Sequence, residues 1–107
     1  MKVKHVQEAD ARKKAAIRLY KAIASIKTAE EAKLFFEDLC TPAELQAITD
    51  RWLVVPSILE KKPYREIYED TGVSVTTIGR VARSLMLGTG GYSLIFERLK
   101  NEKKKKN

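Results

Sequence analysis

This chain of 107 residues has almost nothing to offer metal or thiol chemistry: one cysteine, Cys40, and one histidine, His5. A lone cysteine permits no intrachain disulfide, and one residue of each kind makes no Cys/His cluster for structural zinc. Cys40, beside Leu39, reads as a small semi-buried filler. Catalysis of the Cys/His or Ser/His/Asp kind would rest on His5 alone, close to the N-terminus. Five glycines and three prolines are too few for a turn-rich sandwich or a low-complexity chain, which leaves helices. No apolar run is long enough to span a membrane and there is no signal-peptide core, so a cytoplasmic location is expected. The GTGGY stretch at 88–92 lacks the strand-then-helix setting and the Lys-Ser/Thr of a phosphate loop. Glu30/Glu31 and Glu69/Asp70 read as solvated helix faces. The expectation is a protein that is not an enzyme and uses no cofactor.

What is present is charge, unevenly spread. The formal net charge is +7. Residues 2–27 hold eight basic and two acidic groups, 28–50 one basic and six acidic, and 100–107 five basic and one acidic. Basic ends suit a polyanionic partner, with the acidic middle turned away from it.

The most informative stretch is PYREIYEDTGVSVTTIGRVARSLMLG, Pro63 to Gly88. Pro63 suits the first turn of a helix, Ile67 and Thr71 recur at helical spacing, and Gly72 stands where a positive φ is commonly needed. Ser74 is placed to cap a second helix, in which Ile78, Val81, Ala82 and Leu85 share one face. Gly88 is its stop. Away from that face lie Thr76, Thr77, Gly79, Arg80 and Arg83, and residues 71–96 contain no acid. Two helices joined by a short Gly-containing turn match the helix-turn-helix, here at about 63–87. Small residues and hydroxyls early in the second helix, with arginines later, suit a DNA major groove. An ordinary helical hairpin with a solvated polar face is the plain alternative.

Around it the sequence is helical. Val6–Ile26 has no Gly or Pro and carries a wide apolar stripe beside Arg12, Lys13, Lys14, Arg18 and Lys21. Thr28/Glu31 and Thr41/Glu44 are capping-box patterns. The first starts a helix burying Ala32, Leu34, Phe35, Phe36 and Leu39. The second starts one that runs to about Lys61 with Leu45, Ile48, Trp52, Val55 and Leu59 inward, bent near Leu53 by Pro56. Tyr92, Ile95, Phe96 and Leu99 form a last amphipathic helix. Residues 1–99 are expected to be one domain, and 100–107 a basic, disordered tail.

The TPAEL helix start, YREI with TGVS and TI-R in the motif, and GTGGY after it together resemble the Trp repressor superfamily, in particular its YerC/YecD type. The resemblance runs from about Phe35 to Leu99. It implies an all-α fold of about six helices and an intertwined homodimer of DNA-binding transcriptional regulators. In that dimer the first helix wraps the second subunit. On the helix-turn-helix reading, Val75, Thr76 and Gly79, with Arg83, are the candidates for base-edge contact, and Arg65, Tyr68, Thr77 and the Ser74 end of the helix are the candidates for phosphate. Tryptophan-responsive members hold the indole between two arginines. Arg51 and Arg80 match those positions, with Thr41 and Ser84 at neighbouring ligand contacts, and Arg80 is shared with the DNA-facing surface. Where those members have glycine after the second arginine, this chain has Val81, whose isopropyl group takes the space of the indole. The link between Leu59 and Pro63 is also one residue shorter. Little or no L-tryptophan binding is therefore expected.

Three functions fit. The first is a sequence-specific regulator, expected to be a repressor, acting as a homodimer on a near-palindromic operator in double-stranded DNA. The second is a ligand-gated version with an unknown small-molecule effector. The third is a helical protein-protein adaptor using Tyr64, Tyr68, Arg80 and Arg83. None involves a membrane.

Overall fold

A computed structural model describes residues 2–106, with side chains from Gln7 to Lys105. These residues form seven α-helices and no strand: α1 (Lys2–Ala24), α2 (Ala29–Leu39), α3 (Pro42–Leu53), α4 (Val55–Leu59), α5 (Tyr64–Thr71), α6 (Val75–Leu87) and α7 (Gly91–Lys106). The all-α expectation holds. The chain divides into two compact units, Met1–Thr41 and Pro42–Asn107.

In the first unit, α1 starts at Lys2, upstream of the expected Val6, because nothing in the segment breaks a helix. It closes on Ser25, whose N–H donates to Lys21 and Ala22 and whose Oγ donates to the Ala22 carbonyl. Thr28 caps α2 by accepting from the Glu31 N–H at 3.1 Å. The Glu31 carboxylate reaches back to the Lys27 N–H at 3.0 Å, one residue before the expected partner. The Phe35 and Phe36 rings meet edge-on at 5.7 Å. No residue of α2 is buried, and Leu34 is 58% exposed where a buried face was expected. Two helices cannot by themselves enclose a stripe this wide.

The second unit holds every buried residue among the described residues: Val54, Val55, Ile67, Val73, Ile78, Val81 and Ala82. Ile58, Leu85, Tyr92 and Phe96 pack partly buried against this cluster. The expected single helix from Pro42 to Lys61 is in fact two. Pro56 has no N–H for the Trp52 carbonyl, so α3 ends at Leu53, and α4 begins after Val54, whose carbonyl accepts from Ile58. The short link to α5 puts Lys61 at φ 61°, left-handed although it is not glycine. Of the residues expected inward on this segment, Val55 is buried and Leu45 half-buried, while Ile48, Trp52 and Leu59 stay exposed. At the other end α7 continues helically through Lys106, where an irregular tail was expected. Lysine is a good helix former, and cations at a helix C-terminus are favoured by its dipole.

Candidate nucleic-acid interface and effector cavity

The turn between α5 and α6 is built by three local devices. Gly72 ends α5 at φ 76°, a conformation that would strain a residue with a Cβ, and its N–H donates to the Tyr68 carbonyl at 2.8 Å. Thr71 Oγ1 donates to the Ile67 carbonyl at 2.6 Å and accepts from the Val73 N–H at 3.1 Å, so one hydroxyl spans helix end and turn. Ser74 Oγ accepts from the Thr77 N–H at 3.1 Å, capping α6, and donates to Thr77 Oγ1 at 3.0 Å. Val73 is buried beneath the turn, and Ile67 of α5 joins Ile78, Val81 and Ala82 of α6 in the core. The angle of α6 is thus set by hydrogen bonds at one end and by packing along its length. At the far end a Cβ on Gly88 would overlap the Ser84 carbonyl oxygen, so the stop there is steric.

The buried face of α6 is as expected, which leaves Val75, Thr76, Arg80, Arg83 and Ser84 exposed. Thr77 and Gly79 sit half-buried on its two flanks instead of the open face. The Thr77 hydroxyl is engaged by Ser74, and Gly79 lies beside the Tyr64 ring. Among the described residues neither Arg80 nor Arg83 has an ion-pair partner, so both charges stay available. Arg65 differs: its Nε lies 3.4 Å from Glu69 Oε1, one turn along α5. Tyr68 is exposed. Tyr64, whose ring lies beside Gly79 of α6, was assigned no DNA role by the spacing.

On the other flank of α6 a cavity of about 160 Å³ is lined by Arg51, Arg80, Val81, Ser84 and Tyr92. Three of the four residues expected at an effector site, Arg51, Arg80 and Ser84, therefore meet at one place. The fourth, Thr41, closes the first unit. Tyr92 was missing from the expected set, although GTGGY marked it. Its ring stacks on Trp52, centroids 6.3 Å apart and planes 19° apart, forming an aromatic wall. Val81 is both a lining residue and a core residue with almost no exposed surface. The volume falls below the roughly 300–1,000 Å³ usual for drug-sized ligands. No group of three or more His, Cys, Asp or Glu among the described residues could hold a metal ion.

The Trp repressor protein family matches residues 15–100, a span that includes the helix-turn-helix and every lining residue of the cavity. The chain belongs to the Trp repressor family. Its relatives include the Bacillus subtilis protein YerC, 39% identical over 83 residues, which covers 78% of this chain and 80% of YerC. Among solved structures, a TrpR-like protein from Eubacterium eligens superposes with a TM-score of 0.76 at 44% identity, over 81% of this chain and 90% of that one. A candidate Trp repressor from Staphylococcus aureus gives a TM-score of 0.76 at 37% identity, over 80% and 86%. The Trp-repressor-like, YerC-type assignment is therefore secure. The family suggests a helix-turn-helix DNA-binding regulator rather than an enzyme. No helix among the described residues is long and apolar enough to cross a membrane.

Proposed function

We propose that this protein is a homodimeric, sequence-specific DNA-binding regulator of transcription, a repressor acting in the cytoplasm on a near-palindromic operator. The observation that carries the reading is α6. It is a helix held rigidly by the pinned turn, with Arg80 and Arg83 unpaired on an exposed face and no acid between Thr71 and Phe96. Thr76, Val75, Gly79 and Arg83 are assigned to base edges. Ser74, Thr77 and Tyr68 are assigned to phosphates, with Arg65 contributing less because of Glu69. Dimerisation is supported by the apolar surface one chain leaves open: Tyr20, Leu34, Ile48, Leu94 and Leu99 are all exposed. A twofold dimer presents two recognition helices about 34 Å apart, so the operator should carry two half-sites roughly one helical turn apart. Selection of bound sequences from random double-stranded DNA, followed by affinity measured against salt, tests this. A paired half-site and a log–log slope near −0.9 per phosphate contacted are expected. An affinity indifferent to salt and sequence would point to a protein-binding adaptor instead.

The cavity beside Arg51 and Arg80 favours a second, compatible reading, in which a small effector tunes the same helix. Arg80 lines the cavity and lies on the DNA-facing helix, so an occupant would act directly on α6. Val81 and the small volume argue against L-tryptophan as that occupant.

A further inference from the structure

Gly79 is the fifth of thirteen residues in α6, an interior position where glycine is the least favourable residue after proline. At Gly72 the backbone needs a positive φ, and at Gly88 a side chain would collide with Ser84. Gly79 has neither reason. Its φ is not in the left-handed region, and a Cβ built on it would meet nothing closer than Tyr64 Cε2 at 4.0 Å, an ordinary van der Waals contact. The fold would accept alanine there and gain by it. Along the helix surface, Val75, Gly79 and Arg83 form one i, i+4 row, with Val75 and Arg83 both exposed. Gly79, half-buried with the Tyr64 ring at one side, is thus a notch in that ridge between an apolar side chain and a cationic one.

We propose that this notch is a specificity determinant, the point at which α6 approaches a base edge so closely that no side chain fits between. The inference rests on the DNA-binding reading and adds what that reading leaves open, namely which residue sets the depth of the helix in the groove. Val75 would meet an apolar feature such as a thymine methyl on one side of the notch, and Arg83 a guanine edge or phosphate on the other. A methyl group at 79 would lift the helix off the base pair while leaving the phosphate contacts of Ser74 and Thr77 within reach.

The full-length Gly79→Ala variant tests this, because its effects on folding and binding should have opposite signs. Its melting midpoint should rise by roughly 3–6 °C. Its affinity for the selected operator should fall about tenfold or more. Its affinity for unrelated DNA should stay within about twofold, since phosphate contacts carry no sequence information. Undiminished operator affinity would overturn the proposal, and so would a lowered midpoint, which would give Gly79 a role in the fold. Equal losses on operator and unrelated DNA would place the notch against a phosphate and refute base-edge contact. If the unmodified protein selects no sequence, the DNA-binding reading itself fails, a result distinct from all of these.

Discussion

The two units of this chain solve the same problem differently. Pro42–Asn107 encloses a core of seven side chains drawn from α4 and the Val54 link before it, α5, α6 and the turn between the last two. Met1–Thr41, also almost wholly helical, leaves Tyr20 at 64% and Leu34 at 58% exposure, with no side chain of α2 buried. The difference is topological. Short helices joined by tight turns can surround a few Ile and Val residues. Two helices, one of them 23 residues long, offer a stripe without a lid. A helix longer than its local partners is stabilised by what lies across its apolar face, and in this family reading that is a second copy of the chain. The second unit therefore has a buried core of its own, while the first unit leaves its apolar stripe uncovered.

The contrast breaks most visibly in the second unit. Ile78→Ala removes a fully buried side chain from the centre of the cluster and should cost about 2–5 kcal/mol, measured by denaturant unfolding. Val81→Gly comes next. It loses buried apolar surface and puts glycine inside a helix, together roughly 3 kcal/mol, which is more than the helix propensity change of about 1 kcal/mol alone. The same variant enlarges the cavity beside Arg51 and Arg80. Calorimetry should show weak L-tryptophan binding by Val81→Gly and none by the parent, and tight binding by the parent would refute the steric account.

In the first unit the decisive change is Leu34→Ala. On a free surface it should shift stability by no more than about 0.5 kcal/mol. Covered by a second chain it should cost about 2 kcal/mol, and the loss should grow on dilution. A small, concentration-independent effect would show that the unit stands alone, as would sedimentation of the parent protein at the mass of one chain. Ser74→Ala should cost about 1 kcal/mol through the lost cap and loosen the entry to α6. The smallest effect is expected at Arg65→Ala, below about 0.5 kcal/mol in thermal unfolding, because its pairing with Glu69 is solvent-exposed.

The helix-turn-helix was legible in the sequence because each of its parts is local. Ser74 and Thr77, Gly72 and Tyr68, and the stripe Ile78–Val81–Ala82 interact over one or two helical turns, where spacing along the chain is spacing in space. The flanks of α6 were not legible. That Gly79 faces Tyr64 depends on how α5 crosses α6, and the half-burial of Thr77 depends on what packs beside it. Arg51, Arg80 and Ser84 were matched through family resemblance, which the cavity accommodates, but Tyr92 came into its lining only through the packing of α7 on α6.

By itself, then, the sequence determined that this protein is helical, where α2 and α6 are capped, where the reading turn falls and which residues of α6 face inward. Periodicity and capping act within a few residues, so composition and order suffice to state them. Only the tertiary structure decided that the apolar stripes of α2 and α3 go largely uncovered in a single chain, that Tyr92 joins Arg51 and Arg80 at one cavity, and that Gly79 lies beside Tyr64. Each depends on surface supplied or withheld by distant elements. Hydrophobic burial is proportional to area actually removed from water, and a stripe in a sequence states only that the area is available.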